Sequence, residues 1–555
     1  MSHVPRARRP LTTVLAALAL VVSVAGCVSM PSGGPVQPDA ITQSAANDSQ
    51  HYLQFIPQPP RDGWDPAQIV QGFLTASASF ANGQMVAREY LTQRASSTWT
   101  PLWSAAVFSG DGPDVSSPVY PDAQSGQKAT TATVTVTGTL QAKLSSSGDY
   151  AVPSGSGTVK QAPITFTLTK NGGQWRISNV PQSQRSQLLL TSVEFSADYQ
   201  LRNLYFIDPT GRFLVPDPVY VPLQATPGDL MSGLVEDLIH QPPDWLSSGA
   251  RTAFPTGTRL LGDVGINGGL ATINLGGAFA KAQAPAQEQA AAQLSYTLAG
   301  SGQGQPNVQS IELYVNGKAW SSPKAPGNVV QNVSNSALSP PKGTNSEFYY
   351  LDTKGNVWRR QGTGGAPAKV QNIGTGYSAI AVSPDGRYLA ALRRGALFTG
   401  AIGGPLVKRQ SSGYTSMSWD SNDELWAVAG GDLYMLRGDV TAQSAQSPQA
   451  IPVGVTVTQG NGLPVTEPIT AVRVAPDGVR MALIVGGSGT GTTLDFGAIA
   501  APVPSQQHEG PLTVIQITLS PFYVSGGSVN FSAVTWYGPD NVITLGRAQA
   551  VQGPV

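Results

Sequence analysis

The residue with the best-defined chemistry in this sequence is Cys27, the only cysteine among 555 residues. Three arginines lie within residues 6–9, a mostly apolar run covers residues 11–24, and Ala25 and Gly26 directly precede the thiol. These are the charged, apolar and small-residue regions of a secretory signal peptide, so the sequence predicts an exported chain. With no second cysteine, the thiol has no disulfide partner within the chain.

Residues 24–27, Val-Ala-Gly-Cys, resemble the lipobox of bacterial lipoproteins, in which the thiol takes up diacylglycerol and the cysteine becomes the mature N-terminus. We therefore predict that Cys27 carries a diacylglyceryl group and an N-acyl chain such as palmitate. These chains would anchor the protein to the extracytoplasmic face of the cell membrane. The alternatives are a free thiol and an uncleaved membrane helix. Against the helix, the apolar run has about 14 residues, and a spanning helix needs about 20.

Charge and length limit the class of protein. Without residues 1–26 the chain has 30 basic and 33 acidic residues, and this nearly neutral balance gives no support for nucleic-acid binding. The length exceeds what a single core supports, so we expect three domains. Only 12% of residues are charged, and there are 62 glycines and 44 prolines. Such a composition favours short strands, many turns and extended linkers.

Composition and periodicity divide the chain into segments. The predicted segments are, in chain order, a signal peptide (1–26), a lipidated flexible tether rich in Pro, Gly, Ser and Gln (27–60), an α+β domain (61–185), a second α+β domain (195–320), a linker (321–345) and an all-β propeller (346–555). The fold class is therefore multidomain, with a cone-like N-terminal α+β domain, another α+β domain and a propeller.

The N-terminal domain has signals for two helices and an antiparallel sheet. Asp65-Pro66 predicts the cap and first position of a helix, and a second short helix is expected at residues 85–91. Residues 132–144 alternate as one strand, and residues 164–177 predict a hairpin with an Asn-Gly-Gly turn. Two helices on a curved antiparallel sheet are typical of the cone-shaped nuclear-transport-factor-like domains. We expect a spacer or docking role, because the inner strands carry no acid or histidine.

The second domain alternates strands and helices. A strand is predicted at residues 201–207, and Thr226-Pro227-Gly228-Asp229 predicts the start of a helix whose leucines at 230, 234 and 238 are buried. Further elements follow in order, namely a strand at 269–275, a helix at 287–298 and a strand at 311–318 that ends in an Asn-Gly turn.

Four copies of a strand–turn–strand repeat predict the propeller. Their turns contain Asp385, Asp420, Asp477 and Asp540. We expect these carboxylates to bind local backbone amides, and the alternative is that they converge on a metal. Because few residues follow the fourth copy, we expect an incomplete final blade unless upstream residues such as 347–358 supply its missing strands.

Other residues that could do chemistry are scattered. The mature chain has only three histidines, His51, His240 and His508, so no general base is evident. The acids of the second domain sit where solvated acids normally occur; they are Asp208, Asp217, Asp229, Glu236, Asp237 and Asp263. The aromatic residues of the propeller are a possible binding platform, although we expect most of them in the blade core; they are Trp358, Tyr377, Tyr414, Trp419, Trp426 and Trp536. Residues 486–491 predict a hairpin tip rather than a phosphate loop.

Taken together, the lipobox, the two α+β domains and the degenerate propeller resemble the LpqB family of actinobacterial lipoproteins. Residues 201–320 resemble a GerMN domain, notably at Leu204-Tyr205-Phe206, at the capped helix near Thr226 and at residues 313–317. The resemblance implies a non-enzymatic accessory protein of the MtrAB two-component system, which modulates the extracytoplasmic domain of the sensor histidine kinase in cell division and envelope homeostasis. It implies no catalytic residue, cofactor or metal; its partners are the kinase and, through Cys27, the lipid bilayer.

Two other classes of function stay open. A lipoprotein that binds cell-wall glycan or peptide would show a concave aromatic or polar pocket in one of the α+β domains. An envelope hydrolase would show two acids within hydrogen-bond reach of one cleft, with at least one of them perturbed by burial.

Overall fold

The computed structural model describes residues 57–80, 84–110, 112–122, 129–151, 159–223, 225–299, 308–321, 329–331, 338–341, 347–362, 364–437, 449–457, 463–464, 467–487, 491–500, 512–517 and 529–548. All of them belong to one compact unit, Leu53–Val555. Cys27, the signal peptide and most of the tether lie outside these residues, so lipidation stays a prediction.

The N-terminal domain begins with helix α1, Pro66–Ala78, whose start is closed by two reciprocal hydrogen bonds. The Asp65 carboxylate accepts the backbone N–H of Gln68 at 2.9 Å, and the Gln68 side-chain oxygen accepts the Asp65 N–H at 3.0 Å. Proline at the first position lacks only an N–H that would be unpaired there. The predicted cap at Asp65-Pro66 is confirmed.

Three short helices follow in this domain: α2, Met85–Glu89; α3, Gln93–Thr98; and α4, Ser192–Asp198. Helix α2 is shorter than the predicted segment. The sequence pattern did not indicate α3, because Ala95 is its only buried residue and no apolar periodicity exists. Its start is marked instead by Thr92, whose hydroxyl accepts the Ala95 N–H at 3.3 Å.

Nine strands form two sheets in this domain. They are β1 (Ala105–Phe108), β2 (Asp114–Val115), β3 (Thr131–Thr137), β4 (Thr139–Leu144), β5 (Tyr150–Ala151), β6 (Val159–Lys160), β7 (Ile164–Asn171), β8 (Gln174–Asn179) and β9 (Leu188–Thr191). One sheet has the order β2-β3-β7-β8, and the other has the order β5-β4-β1-β9 with β6 beside β4. The predicted hairpin is confirmed as β7 and β8.

Two details of this domain differ from the prediction. The single strand expected at residues 132–144 is two strands in different sheets, and they meet at Gly138. A Cβ atom at Gly138 would lie 2.6 Å from the Phe108 ring, so glycine lets the chain turn closely over that buried side chain. In addition, β1 and β9 pair in parallel, so the sheets are not wholly antiparallel.

The second domain packs two helices against a hairpin and a mixed sheet. Its helices are α5 (Pro227–Ile239) and α6 (Ala284–Leu298). Its strands are β10 (Tyr199–Ile207), β11 (Leu214–Pro222), β12 (Thr258–Leu260), β13 (Gly265–Asn267), β14 (Leu270–Gly277), β15 (Ser310–Val315), β16 (Lys318–Ala319) and β17 (Val329–Gln331). Strands β14 and β15 are parallel neighbours at the centre of the mixed sheet.

Most predicted elements of the second domain are confirmed. The Thr226 hydroxyl accepts the Asp229 N–H at 3.2 Å and caps α5. Helix α6 begins three residues earlier than predicted. Strand β11 was not predicted, because Pro216 and Pro218 interrupt its apolar pattern and proline is unusual inside a strand. It nevertheless pairs with β10 over nine residues.

Among the described residues, the C-terminal domain consists of β-strands, as predicted. Its strands are β18 (Glu347–Leu351), β19 (Val357–Gln361), β20 (Ala368–Lys369), β21 (Ala379–Val382), β22 (Tyr388–Arg393), β23 (Ala396–Ala401), β24 (Val407–Gln410), β25 (Tyr414–Trp419), β26 (Leu425–Ala429), β27 (Asp432–Arg437), β28 (Gln449–Val457), β29 (Leu463–Pro464), β30 (Ile469–Val474), β31 (Arg480–Gly487), β32 (Gly491–Ile499), β33 (Leu512–Ile517), β34 (Val529–Tyr537) and β35 (Asn541–Ala548).

The four repeat copies are the hairpins β21/β22, β25/β26, β30/β31 and β34/β35. Two adjacent blades merge into one nine-stranded sheet, because their outer strands β28 and β33 pair in parallel. The suggestion that residues 347–358 complete the final blade is wrong, since β18 pairs with β19 and β19 pairs with β20 in a separate sheet. Among the described residues, β34 and β35 pair only with each other.

The β10/β11 hairpin contacts all three domains. At its base, the Tyr220 N–H donates to the Gly148 carbonyl of the N-terminal domain at 2.8 Å. At its tip, the Leu214 N–H donates to the Ser339 carbonyl at 3.1 Å. Val479 and Ala498 of the C-terminal domain belong to the core of the second domain. The three domains therefore pack as one continuous body around this hairpin.

Replacing Leu234 by alanine tests the packing of α5. Leu234 is fully buried in the core of the second domain. We expect Leu234→Ala to lower the free energy of unfolding by about 2–5 kcal/mol, because it leaves a cavity. Leu201→Ala is the control, since Leu201 is 47% exposed, and it should change stability by less than about 0.5 kcal/mol. Equal effects of both variants in denaturant unfolding would contradict this packing.

Candidate functional site

The five inner strands of the C-terminal domain, β18, β21, β25, β30 and β34, surround a cavity of about 1480 Å³, which we call the channel. Parts of the second domain and of the segment after it also line the channel, through Arg212, Phe213 and residues 339–341. The hypothesis of ligand binding placed a pocket in an α+β domain. This cavity lies in the C-terminal domain instead.

The tip of the β10/β11 hairpin lines part of the channel. Asp208 folds this tip, because its carboxylate accepts the backbone N–H groups of Thr210, Arg212 and Phe213 at 3.0, 2.7 and 2.6 Å. The Arg212 guanidinium then donates to the side-chain oxygen of Asn422 at 2.8 Å. This hydrogen bond links the second domain to a turn of the C-terminal domain that lines the channel.

Ion pairs lie beside this contact. Arg387 is paired with Asp385 of its own turn and, at 3.2 Å, with Asp423 of the next blade. Asp423 has a left-handed backbone with φ of 61°, which is uncommon for a residue with a side chain. Burial, and then the nearby Asp385, raise the pKa of Asp423. Two acids therefore meet at the channel, and a single guanidinium binds both.

The turn aspartates bind local groups, as the sequence analysis expected. The Asp420 carboxylate accepts the N–H groups of Asn422 and Glu424 at 2.8 and 2.9 Å. The Asp477 carboxylate accepts those of Val479 and Arg480 at 2.8 and 2.9 Å.

The other two turn aspartates behave in related ways. Asp385 accepts the Arg387 N–H at 3.0 Å. Asp540 accepts the Asn541 side chain at 2.8 Å and, across domains, the Asn203 side chain at 3.1 Å. In the part of the chain that the structure describes, no three His, Asp or Glu side chains form a group that could hold a metal ion.

A fifth turn aspartate, Asp352, was missed by sequence reasoning. Its carboxylate accepts the N–H groups of Lys354 and Asn356, both at 2.9 Å, and the Trp358 indole N–H at 3.1 Å. Asp420 holds the Trp426 indole in the same way at 3.0 Å. The shared signal is an aspartate followed six residues later by tryptophan, and it identifies β18/β19 as a further blade hairpin.

The aromatic residues do not form one binding platform. Tyr377, Tyr414, Trp419 and Trp426 are buried, which agrees with the expectation of blade core. Trp536 is half-buried and lines the channel, but its indole N–H donates to the Arg473 carbonyl at 3.0 Å.

The acids of the second domain do not come together as a catalytic pair. Asp229, Glu236 and Asp263 are exposed, as expected. The expectation of solvation is wrong for Asp208, which the hairpin tip buries, and for Asp217. Burial, followed by the charges of Asp149 and Glu236, raises the pKa of the remaining acid, Asp237, to about 7.

Asp217 is the most perturbed of these acids. It is 1% exposed, one carboxyl oxygen accepts the Trp245 indole N–H at 3.1 Å, and the other oxygen has no hydrogen-bond partner among the described residues. Burial and the nearby Asp149 hold its pKa well above the ordinary value, and a smaller contribution comes from Asp237. A carboxyl group this inaccessible to solvent is poorly placed to reach a substrate.

The remaining predicted residues are peripheral or lie outside the described residues. His240 terminates α5, and its ring contacts the Glu236 carbonyl at 2.5 Å. His51, His508 and Cys27 are outside the described residues.

The predicted hairpin tip after β31 is confirmed by the pairing of Gly487 with Gly491. Within the described ranges, no helix combines the length and apolar character that a membrane span requires.

Known families match this chain in three successive regions. Residues 59–196 match the N-terminal domain of lipoprotein LpqB, residues 203–320 match the sporulation and spore germination (Germane) domain, and residues 355–552 match the lipoprotein LpqB β-propeller domain. The three matches follow the same order as the three structural domains.

Relatives that match nearly the whole of this chain are called lipoprotein LpqB. Lipoprotein LpqB of Thermobifida fusca is 26% identical and covers 96% of this chain and 86% of its own length. Lipoprotein LpqB of Streptomyces coelicolor is 29% identical, with coverage of 97% and 87%. The first GerMN domain of the sporulation protein GerM from Bacillus subtilis is 20% identical over 24% of this chain and 98% of that one, with a TM-score of 0.19.

The buried Asp217 predicts a pH-dependent stability. Its pKa is raised by folding, so the neutral carboxyl stabilises the fold below about pH 3.9, and this contribution is lost as pH rises toward the folded value. We expect Asp217→Asn to flatten the fall of stability that begins above about pH 4, because the amide stays neutral at every pH. At neutral and alkaline pH the variant should therefore be more stable than the unchanged protein. Denaturant unfolding from about pH 4 upward measures this difference.

Asp263→Asn is the matched control, because Asp263 is an exposed acid of the same domain. Its stability profile should run parallel to that of the unchanged protein. A profile of Asp217→Asn that also ran parallel would contradict the predicted role of the buried carboxyl.

Proposed function

The chain belongs to the LpqB family of lipoproteins, and we propose that it is a lipid-anchored extracytoplasmic protein that modulates a two-component sensor histidine kinase of the MtrAB type by contact. The observation that carries the proposal is the succession of three matched domains over residues 59–552. This succession supports the family resemblance noted in the sequence, and that resemblance implies an accessory role in envelope homeostasis and cell division.

The anchor in this proposal is Cys27. A single fatty chain binds a membrane weakly, whereas a diacylglyceryl group with an N-acyl chain holds a protein stably. The signal-peptide pattern supports a location of the mature chain outside the cytoplasmic membrane. A protein held there diffuses in the same membrane plane as the extracytoplasmic domains of membrane kinases, which raises their effective concentration for each other.

Contact rather than catalysis is supported by the state of the acids. The carboxylates of Asp420 and Asp477 accept hydrogen bonds from backbone N–H groups. At the channel, Arg387 forms ion pairs with both Asp385 and Asp423. Asp217 is buried against Trp245. A general acid or nucleophile needs access to substrate, which the buried Asp217, Asp420 and Asp477 lack.

The channel favours a second candidate function, capture of a cell-wall glycan or peptide. Its volume of about 1480 Å³ exceeds that of a typical small-ligand pocket, ~300–1,000 Å³. It also combines apolar residues such as Phe213 with the paired charges of Arg387 and Asp423. No comparable observation favours the hydrolase.

Replacing Cys27 tests the anchor. We expect Cys27→Ala to abolish labelling with a palmitate analogue and to release the exported protein from the membrane fraction after a high-salt wash, because the lipid chains are lost. Ser29→Ala, two residues away, should keep both properties. Membrane retention of a Cys27→Ala chain whose signal peptide has been cleaved would contradict the lipid anchor.

Reconstitution with the kinase tests the function. We expect the full lipidated chain, placed in vesicles with its cognate sensor kinase, to change the rate of kinase autophosphorylation at least about twofold and to co-purify with it. Glu236→Ala and Asp263→Ala should act like the unchanged protein, because a contact mechanism does not need these exposed acids. An unchanged rate together with no co-purification would refute the proposal.

A further inference from the structure

Strand β10 carries two long polar side chains on one face. Gln200 and Arg202 are two residues apart, so they point to the same side of the hairpin. Their partners across the ladder are Val221 and Val219, each only 1% exposed. The two side chains directly opposite are therefore apolar and offer no acceptor.

Both side chains have buried donors without a partner. The Arg202 Nη2 atom and the Gln200 Nε2 atom are shielded from solvent, and neither has an acceptor among the described residues. Arg202 as a whole is only 8% exposed. Buried donors are nearly always paired in native proteins, and an exception often marks a site for a water or an ion.

The charge of Arg202 is also uncompensated. Burial lowers its pKa, and among the described residues the only titratable group that opposes this effect is the phenol of Tyr205. Asp217 lies diagonally across the ladder, but its carboxyl binds Trp245, and no ion pair joins it to Arg202 among the described residues. A guanidinium stays protonated in proteins, so a positive charge is held here without an acid.

We propose that Gln200 and Arg202 form a binding site for an oxyanion, the carboxylate or phosphate group of a ligand. A guanidinium presents paired N–H groups that fit two oxygens of such a group, and the neighbouring amide adds a further donor. The anion would supply both the missing acceptors and the missing counter-charge. The site does not depend on the kinase and is distinct from the channel.

Thermal unfolding of the full chain in detergent tests the site, with inorganic phosphate and acetate as separate probes and chloride keeping the ionic strength constant. At about a hundred times the dissociation constant, we expect at least one probe to raise the midpoint by about 5 °C in a saturable way. Arg202→Met should abolish this rise. Arg259→Met, at an exposed arginine of the same domain, should leave it intact.

A second variant keeps the test valid if Arg202→Met does not fold. Gln200→Met retains the charge and removes one donor, so the half-saturating concentration should rise about tenfold. The response that is larger, to phosphate or to acetate, identifies the group that the site prefers. The proposal is overturned if neither probe shifts the midpoint, or if Arg202→Met and Gln200→Met respond like the unchanged protein.

Discussion

The nine-residue pairing of β10 with β11 is the constraint on which the arrangement of the domains depends. The base of the hairpin is hydrogen-bonded to Gly148 of the N-terminal domain, and its tip contacts Ser339 and the channel. A strand rises about 3.3 Å per residue, so this ladder spans about 30 Å. A rigid element of that length fixes the separation of the two outer domains, because both are bonded to it.

The close contacts around the hairpin explain why the three domains pack tightly. A Cβ atom at Gly249 would lie 2.5 Å from the Ile499 carbonyl oxygen, so only glycine permits the second domain to approach the C-terminal blades. On the other side, Tyr220 packs against Tyr150 and Phe195 with ring centroids 5.3 and 4.9 Å apart. Such contacts transmit strain, since close-packed interiors do not deform continuously.

The same hairpin contains buried polar side chains that lower the stability of the fold. Asp217 and Arg202 lie in the ladder, and each has one buried polar atom without a hydrogen-bond partner among the described residues. Each unmet hydrogen bond costs about 1–3 kcal/mol. The packed cores on both sides must offset this cost. Under the proposed contact mechanism, protonation or anion binding at the hairpin would act on the element that joins all three domains.

The sequence by itself determined the local elements, because caps, turns and repeats act over a few residues. Asp65 and Thr226 mark helix starts, and the repeated Asp turns mark blade hairpins, through hydrogen bonds to their own neighbours. Only the tertiary structure decided that Asp217 is buried, that Arg212 reaches Asn422, and that residues 347–361 form a separate hairpin. These outcomes depend on contacts between residues far apart in the chain, which local patterns do not encode.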